Sequence, residues 1–127
     1  MARRRLAVAI ETYRDLDVWK TAMDLVVAAY SLTRQFPDRE RYGLTSQMQR
    51  AAVSVPANIA EGYGRGHRAE YTHHLYISRG SLLELETHME LAVRLGYLTS
   101  EATVSAQELI SRVGMMLNKL LQALAKT

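Results

Sequence analysis

The 127-residue chain has no cysteine, which excludes disulfide scaffolds, thiolate zinc sites, iron–sulfur clusters and cysteine nucleophiles together. Only 2 prolines and 7 glycines are present, too few for a low-complexity or linker-rich chain, and 48% hydrophobic with 23% charged residues is ordinary globular composition. Long apolar runs are missing too, since none approaches the length that spans a bilayer. The beginning imitates a secretory signal, but Glu11 ends the apolar stretch after five residues, Leu6 to Ile10, short of an h-region. One domain, soluble and cytoplasmic, is expected, large enough to bury roughly two thirds of its unfolded surface.

Lysine is scarce as well: 13 arginines stand against 3 lysines in a chain of formal net charge +3. Arginine offers a planar fork of donors that matches phosphate and stacks on bases, whereas lysine is a point charge. A GC-rich coding sequence produces the same bias, so the count alone does not choose between them.

What is present is helical periodicity. Val18, Ala22, Leu25, Ala29, Leu32 and Phe36 alternate at four-three spacing, with Asp15 or Asp17 available as a cap and Pro37 as the stop. A second stripe of Trp19, Met23, Val26 and Tyr30 on the same helix exceeds what one bundle seam requires, so contact with another subunit is expected. A second helix spans about 42–63, with Leu44, Met48, Ala51 or Ala52, Val55 and Ile59 inward and a kink at Pro56. Gly62, Gly64 and Gly66 then predict a flexible turn. A third helix over about 68–95 carries Tyr71, Leu75, Ser78, Leu82, Leu85, Met89 and Ala92 inward, with Gly96 placed to close it. Thr99 can cap a fourth, whose inward positions are Ala106, Ile110, Val113, Leu117, Leu120 and Leu124. Short connections make each helix antiparallel to the last, so the expected fold is an all-α, up-down-up-down four-helix bundle over 13–127 behind a flexible arginine-rich tail, 1–12.

The string QMQRAAVSVPANIAEG at 47–62 is distinctive. With LDVW at 16–19, FP at 36–37, YGL at 42–44, GSLLELE at 80–86 and LGYL at 95–98, it resembles the four-helix-bundle family of 23S rRNA intervening-sequence proteins over about 13–124. The resemblance implies an antiparallel bundle assembled as a homopentameric ring. Some members are encoded in insertions within 23S rRNA genes whose RNA is excised without religation, and the family carries no assigned activity. Accessory variability proteins of diversity-generating retroelements are similar in fold. There a basic pentamer binds nucleic acid and a reverse transcriptase, so such an enzyme is a further partner the resemblance allows.

The residues themselves offer three kinds of site. Ser54, Asn58 and Glu61 cluster around the Pro56 kink, and a structural polar network is the natural reading, with Arg50 pairing to Glu61 or Glu84. Ser54 has no histidine near it in sequence, so no catalytic group is assigned and the chain is expected not to be an enzyme. Glu70-Tyr-Thr-His73 matches the Glu-x-x-His step of di-iron bundles, but all four histidines (67, 73, 74, 88) fall in one segment. No metal or other cofactor is therefore expected.

Arginine placement is the third. Arg68 and Arg79 lie three turns apart on one stripe, Arg65 sits among glycines beside Tyr63, and Arg3, Arg4 and Arg5 form a cationic tail. With Arg50 these are the candidate nucleic-acid contacts, RNA foremost. A five-fold ring would raise the formal charge to about +15 and present the tail five times. The alternative is a protein–protein scaffold with no nucleic-acid binding of its own.

Overall fold

Four-three spacing of apolar residues produces four α-helices and no strand among the described residues, which are 10–126 of the computed structural model. They are α1 (Asp17–Thr33), α2 (Leu44–Gly64), α3 (Arg68–Arg94) and α4 (Val104–Ala125). Short 3-10 turns at Tyr13–Asp15, Asp38–Glu40 and Glu101–Thr103 precede α1, α2 and α4. The helices pack as a bundle in which α1 contacts α2 and α4, and α3 contacts the same two; the α2–α3 seam is the most extensive. Leu25 of α1, Met48 and Ile59 of α2, Leu75 and Leu85 of α3 and Leu117 of α4 are fully buried at its centre. No helix among the described residues is long and apolar enough to cross a membrane.

The start of α1 differs from the sequence expectation. Neither aspartate caps it: Leu16 occupies the cap position without a side-chain hydrogen bond. Asp15 serves the preceding turn, its Oδ2 accepting the backbone N–H of Glu11 at 2.8 Å and of Thr12 at 3.1 Å, while Thr12 Oγ1 accepts that of Arg14. Those backbone donors, Glu11 first, hold the Asp15 carboxyl below the usual carboxylate range. The turn also divides the second apolar stripe of α1. Trp19 packs edge-on against Tyr13 with Arg14 over its ring, whereas Met23 and Tyr30 stay 42% and 40% exposed.

The flexible turn expected at Gly62–Gly66 is also shorter. α2 runs through Pro56 and on through Gly62 and Gly64, and only Gly66 adopts a positive φ, +79°. Close packing accounts for Gly62 being helical: a Cβ there would lie 2.7 Å from His74 Cβ on α3. Gly96 (φ +80°) closes α3 as expected, with Gly96 N–H donating to Val93 O and Tyr97 N–H to Ala92 O. In α4 the inward series ends at Leu121, with Leu120 and Leu124 half-buried.

Glu40 joins the two ends of the α2–α3 pair. Its Oε1 accepts the Leu44 N–H at 3.0 Å, satisfying a free donor of α2's first turn, and its Oε2 accepts the Tyr97 hydroxyl at 2.7 Å. The backbone donor first, and Tyr97 second, hold this carboxyl below its ordinary value. A depressed folded pKa contributes stability that is present above the unfolded value, about 4.3, and is lost as pH falls through the folded one. Glu40→Gln is accordingly expected to lose less stability than the parent in thermal melts between about pH 6 and pH 3. Equal losses would show that the Glu40 bonds do not contribute.

Candidate nucleic-acid interface

The α2–α3 seam is apolar at its centre and polar along one edge. Ser81 Oγ donates to Ser54 Oγ at 2.8 Å, Ser78 Oγ to Val55 O at 2.6 Å, and Asn58 Oδ1 meets His74 Nδ1 at 3.0 Å. Rising numbers on α2 meet falling numbers on α3, so these two helices run in opposite directions. Asn58 Nδ2 donates to Ser54 O and Oγ at 2.9 and 3.0 Å, which leaves Oδ1 as the acceptor and assigns the proton to His74 Nδ1. Ser54 and Asn58 thus share a network that includes Ser81 and His74.

Glu61 is not in that network. It is one turn before Arg65, and Arg65 Nη2 takes its carboxylate at 2.8 Å while Nη1 takes Glu70 at 3.0 Å. The Arg65 hydrogen bond, then the charge of His74, lower the Glu61 pKa, and Glu61 in turn raises that of Arg65. Two carboxylates on one guanidinium leave a local excess of negative charge, so Arg65 is not the open phosphate contact its glycine-rich surroundings had indicated. The same clamp occupies Glu70 of the Glu70-Tyr-Thr-His73 step. Among the described residues no three histidine, aspartate or glutamate side chains group as a metal would need. Nearby, burial first and charge repulsion from the Tyr63 phenol second push the Tyr71 hydroxyl up to about 12.

Arg50 pairs with neither Glu61 nor Glu84, and no carboxylate among the described residues is within ion-pair distance of it. It stands on the edge of an open cavity of about 490 Å³ between α2 and α3. Tyr42, Ser46, Gln47 and Ser54 line one wall, Ser81, Glu84 and His88 the other. The residues recur at the same steps on both helices, 47, 50 and 54 facing 81, 84 and 88, because positions three and seven apart share a helical face. That shared spacing is the signal the sequence carries; which two faces meet is set by packing, so Tyr42, Gln47, Ser81 and His88 are not legible as lining residues from one helix at a time. His88 Nδ1 is buried and has no hydrogen-bond partner among the described residues.

The remaining arginines are dispersed. Arg79 donates to Asn118 Oδ1 at 3.0 Å and lies 4.8 Å over the Tyr76 ring, tying α3 to α4. Arg68 is exposed beside Tyr63, Gly66 and Tyr71, a separate hollow from the one Arg79 borders, so the two do not form one site. Arg41 lies over Tyr42 and Arg39 over Tyr97, both at 5.9 Å. Arg3, Arg4 and Arg5 lie outside the described residues. They account for the whole formal +3, because all 13 acidic residues and the other 13 basic ones fall within 10–126.

A family model described as 23S rRNA-intervening sequence protein matches residues 14–119. The chain belongs to that family. The match covers all of α1, α2 and α3, the whole α2–α3 cavity included, and most of α4. Among solved structures, this intervening-sequence family member is similar to a protein of unknown function from the S23 ribosomal protein family of Bacteroides thetaiotaomicron VPI-5482. The two are 22% identical with a TM-score of 0.73, over 82% of this chain and 97% of that one, a likeness of fold. No significant match is found among curated proteins.

Proposed function

We propose that this protein is a non-enzymatic, basic helical bundle, antiparallel in up-down-up-down order and assembled as a homopentamer. It binds structured RNA or other nucleic acid mainly through arginine–phosphate contacts, within a complex associated with ribosomal RNA or a reverse transcriptase. The observation that carries the reading is the group at the start of α2. Arg50, with no ion-pair partner among the described residues, borders a polar cavity beside Tyr42, and Arg41 lies over the Tyr42 ring. Cations next to open aromatic rings suit a polyanion that carries bases. Self-association draws support from Met23, Val27 and Tyr30, exposed together along one face of α1. Five copies would turn the small net charge contributed by Arg3, Arg4 and Arg5 into a concentrated one.

The test is the mass of the native particle together with binding of structured RNA at two salt concentrations. A five-fold particle is expected whose affinity falls about 10³-fold between 50 and 200 mM salt, as counterion release requires for six or more phosphate contacts. Affinity that is flat in salt overturns the electrostatic mechanism. A five-fold particle indifferent to RNA at both concentrations overturns nucleic-acid binding and leaves a protein scaffold.

A further inference from the structure

We infer that the α2–α3 cavity seats one unstacked nucleotide of a single strand, its phosphate on Arg50, its base against Tyr42 and its amino edge on the Glu84 carboxylate. This deepens the nucleic-acid reading above and rests on it. Arg50 and Glu84 line the same cavity, yet no carboxylate or cation among the described residues pairs with either. A bare anion placed there meets repulsion from Glu84, and a bare cation meets repulsion from Arg50. The ligand that satisfies both carries an anion at one end and N–H donors at the other. A guanine nucleotide does so, because its Watson–Crick edge presents adjacent ring and amino N–H groups to a carboxylate.

Two further features agree. Tyr42 is 90% exposed at the cavity mouth, and an aromatic ring left almost wholly in water beside a guanidinium is a platform for a base. The cavity's 490 Å³ is in the range of sites that take small ligands, and its open side lets a strand continue past the seated residue. A docked helix or peptide would instead require an apolar groove, and the only hydrophobic side chains in this lining are Ala51 and Tyr42. A duplex keeps its Watson–Crick edges paired, so the site selects unpaired residues.

The experiment measures binding of a short guanine-containing single strand to the intact particle by fluorescence anisotropy, and of GMP, AMP and inorganic phosphate by calorimetry. Tyr42→Ala and Arg50→Gln are each expected to weaken strand binding about tenfold. GMP is expected to bind about tenfold tighter than AMP, and Glu84→Gln to erase that preference. All three side chains are exposed, and melting curves within a few degrees of the parent check that each variant folds. Independently of any variant, a strand carrying 6-thioguanine is expected to photo-crosslink to the peptide containing Tyr42. If the three variants bind strand and GMP like the parent while replacement of Arg3, Arg4 and Arg5 by Ala abolishes strand binding, this inference is overturned and nucleic-acid binding stands. If the parent binds no strand at low salt, both fall. Inorganic phosphate binding as tightly as GMP overturns it in favour of a simple anion site, and capture of a basic or acidic peptide in place of GMP overturns it in favour of protein docking.

Discussion

Replacing Arg3, Arg4 and Arg5 together with Ala is expected to reduce the affinity for structured RNA at low salt by two orders of magnitude or more. The steepness of its salt dependence should fall by about three for each protomer that touches the strand. The reason is charge balance. Outside those three residues, acidic and basic side chains are equal in number, and the body of the bundle has no net attraction for a polyanion at a distance. Arg65 and Arg94 are paired to carboxylates, and Arg79 is held by Asn118 and Tyr76. The triple variant should keep its melting temperature and its particle mass, since exposed charges contribute little to stability. Filter binding across a salt series checks the result, and an unchanged slope would transfer the electrostatic contribution to the bundle surface.

The second large effect concerns stability. Gly62→Ala is expected to destabilise the protein by up to about 2 kcal/mol, while Gly64→Ala, two residues on, stabilises it by about 0.5–1 kcal/mol. Both are helical, so alanine brings each the same gain in helix propensity, about 1 kcal/mol. They differ in what the new methyl meets. At Gly62 it would lie 2.7 Å from His74 Cβ and 3.3 Å from Tyr71 Cδ1 and O; at Gly64 it meets nothing within 4 Å. A Cβ and a backbone carbonyl are not flexible side-chain ends, so α2 and α3 must separate, at an overpacking cost of about 1–3 kcal/mol that exceeds the propensity gain. Thermal melts at one protein concentration should place the Gly62 variant several degrees below the parent and the Gly64 variant a few degrees above. A stable Gly62→Ala would mean that the seam is looser than the contact indicates.

Much of the bundle was legible because helical periodicity is local. The inward residues of α1 and α2, and those of α3 from Leu75 on, follow from spacing, with Tyr71 of the expected series only half-buried, and the Gly96 terminus follows from the one residue type that adopts a positive φ without strain. Local chemistry also misled where two local partners compete. Asp15 could cap α1 or the turn before it, and the nearer backbone donors of Glu11 and Thr12 took it. Glu61 shares a face with both Asn58 and Arg65, and the guanidinium, being charged, captured it.

By itself the sequence determined the four amphipathic helices, most of their inward residues, the family and the location of the unbalanced charge in Arg3, Arg4 and Arg5. Tertiary structure alone decided which polar groups meet. Asn58 and His74 are 16 residues apart, Ser54 and Ser81 27, Arg79 and Asn118 39, Glu40 and Tyr97 57. Such pairings depend on how far one helix slides along its neighbour, which side-chain interlocking sets and residue spacing within a helix does not. The cavity between Arg50 and Glu84 exists for that reason: two polar faces, each ordinary on its own helix, are brought opposite one another by the packing of the apolar faces beside them.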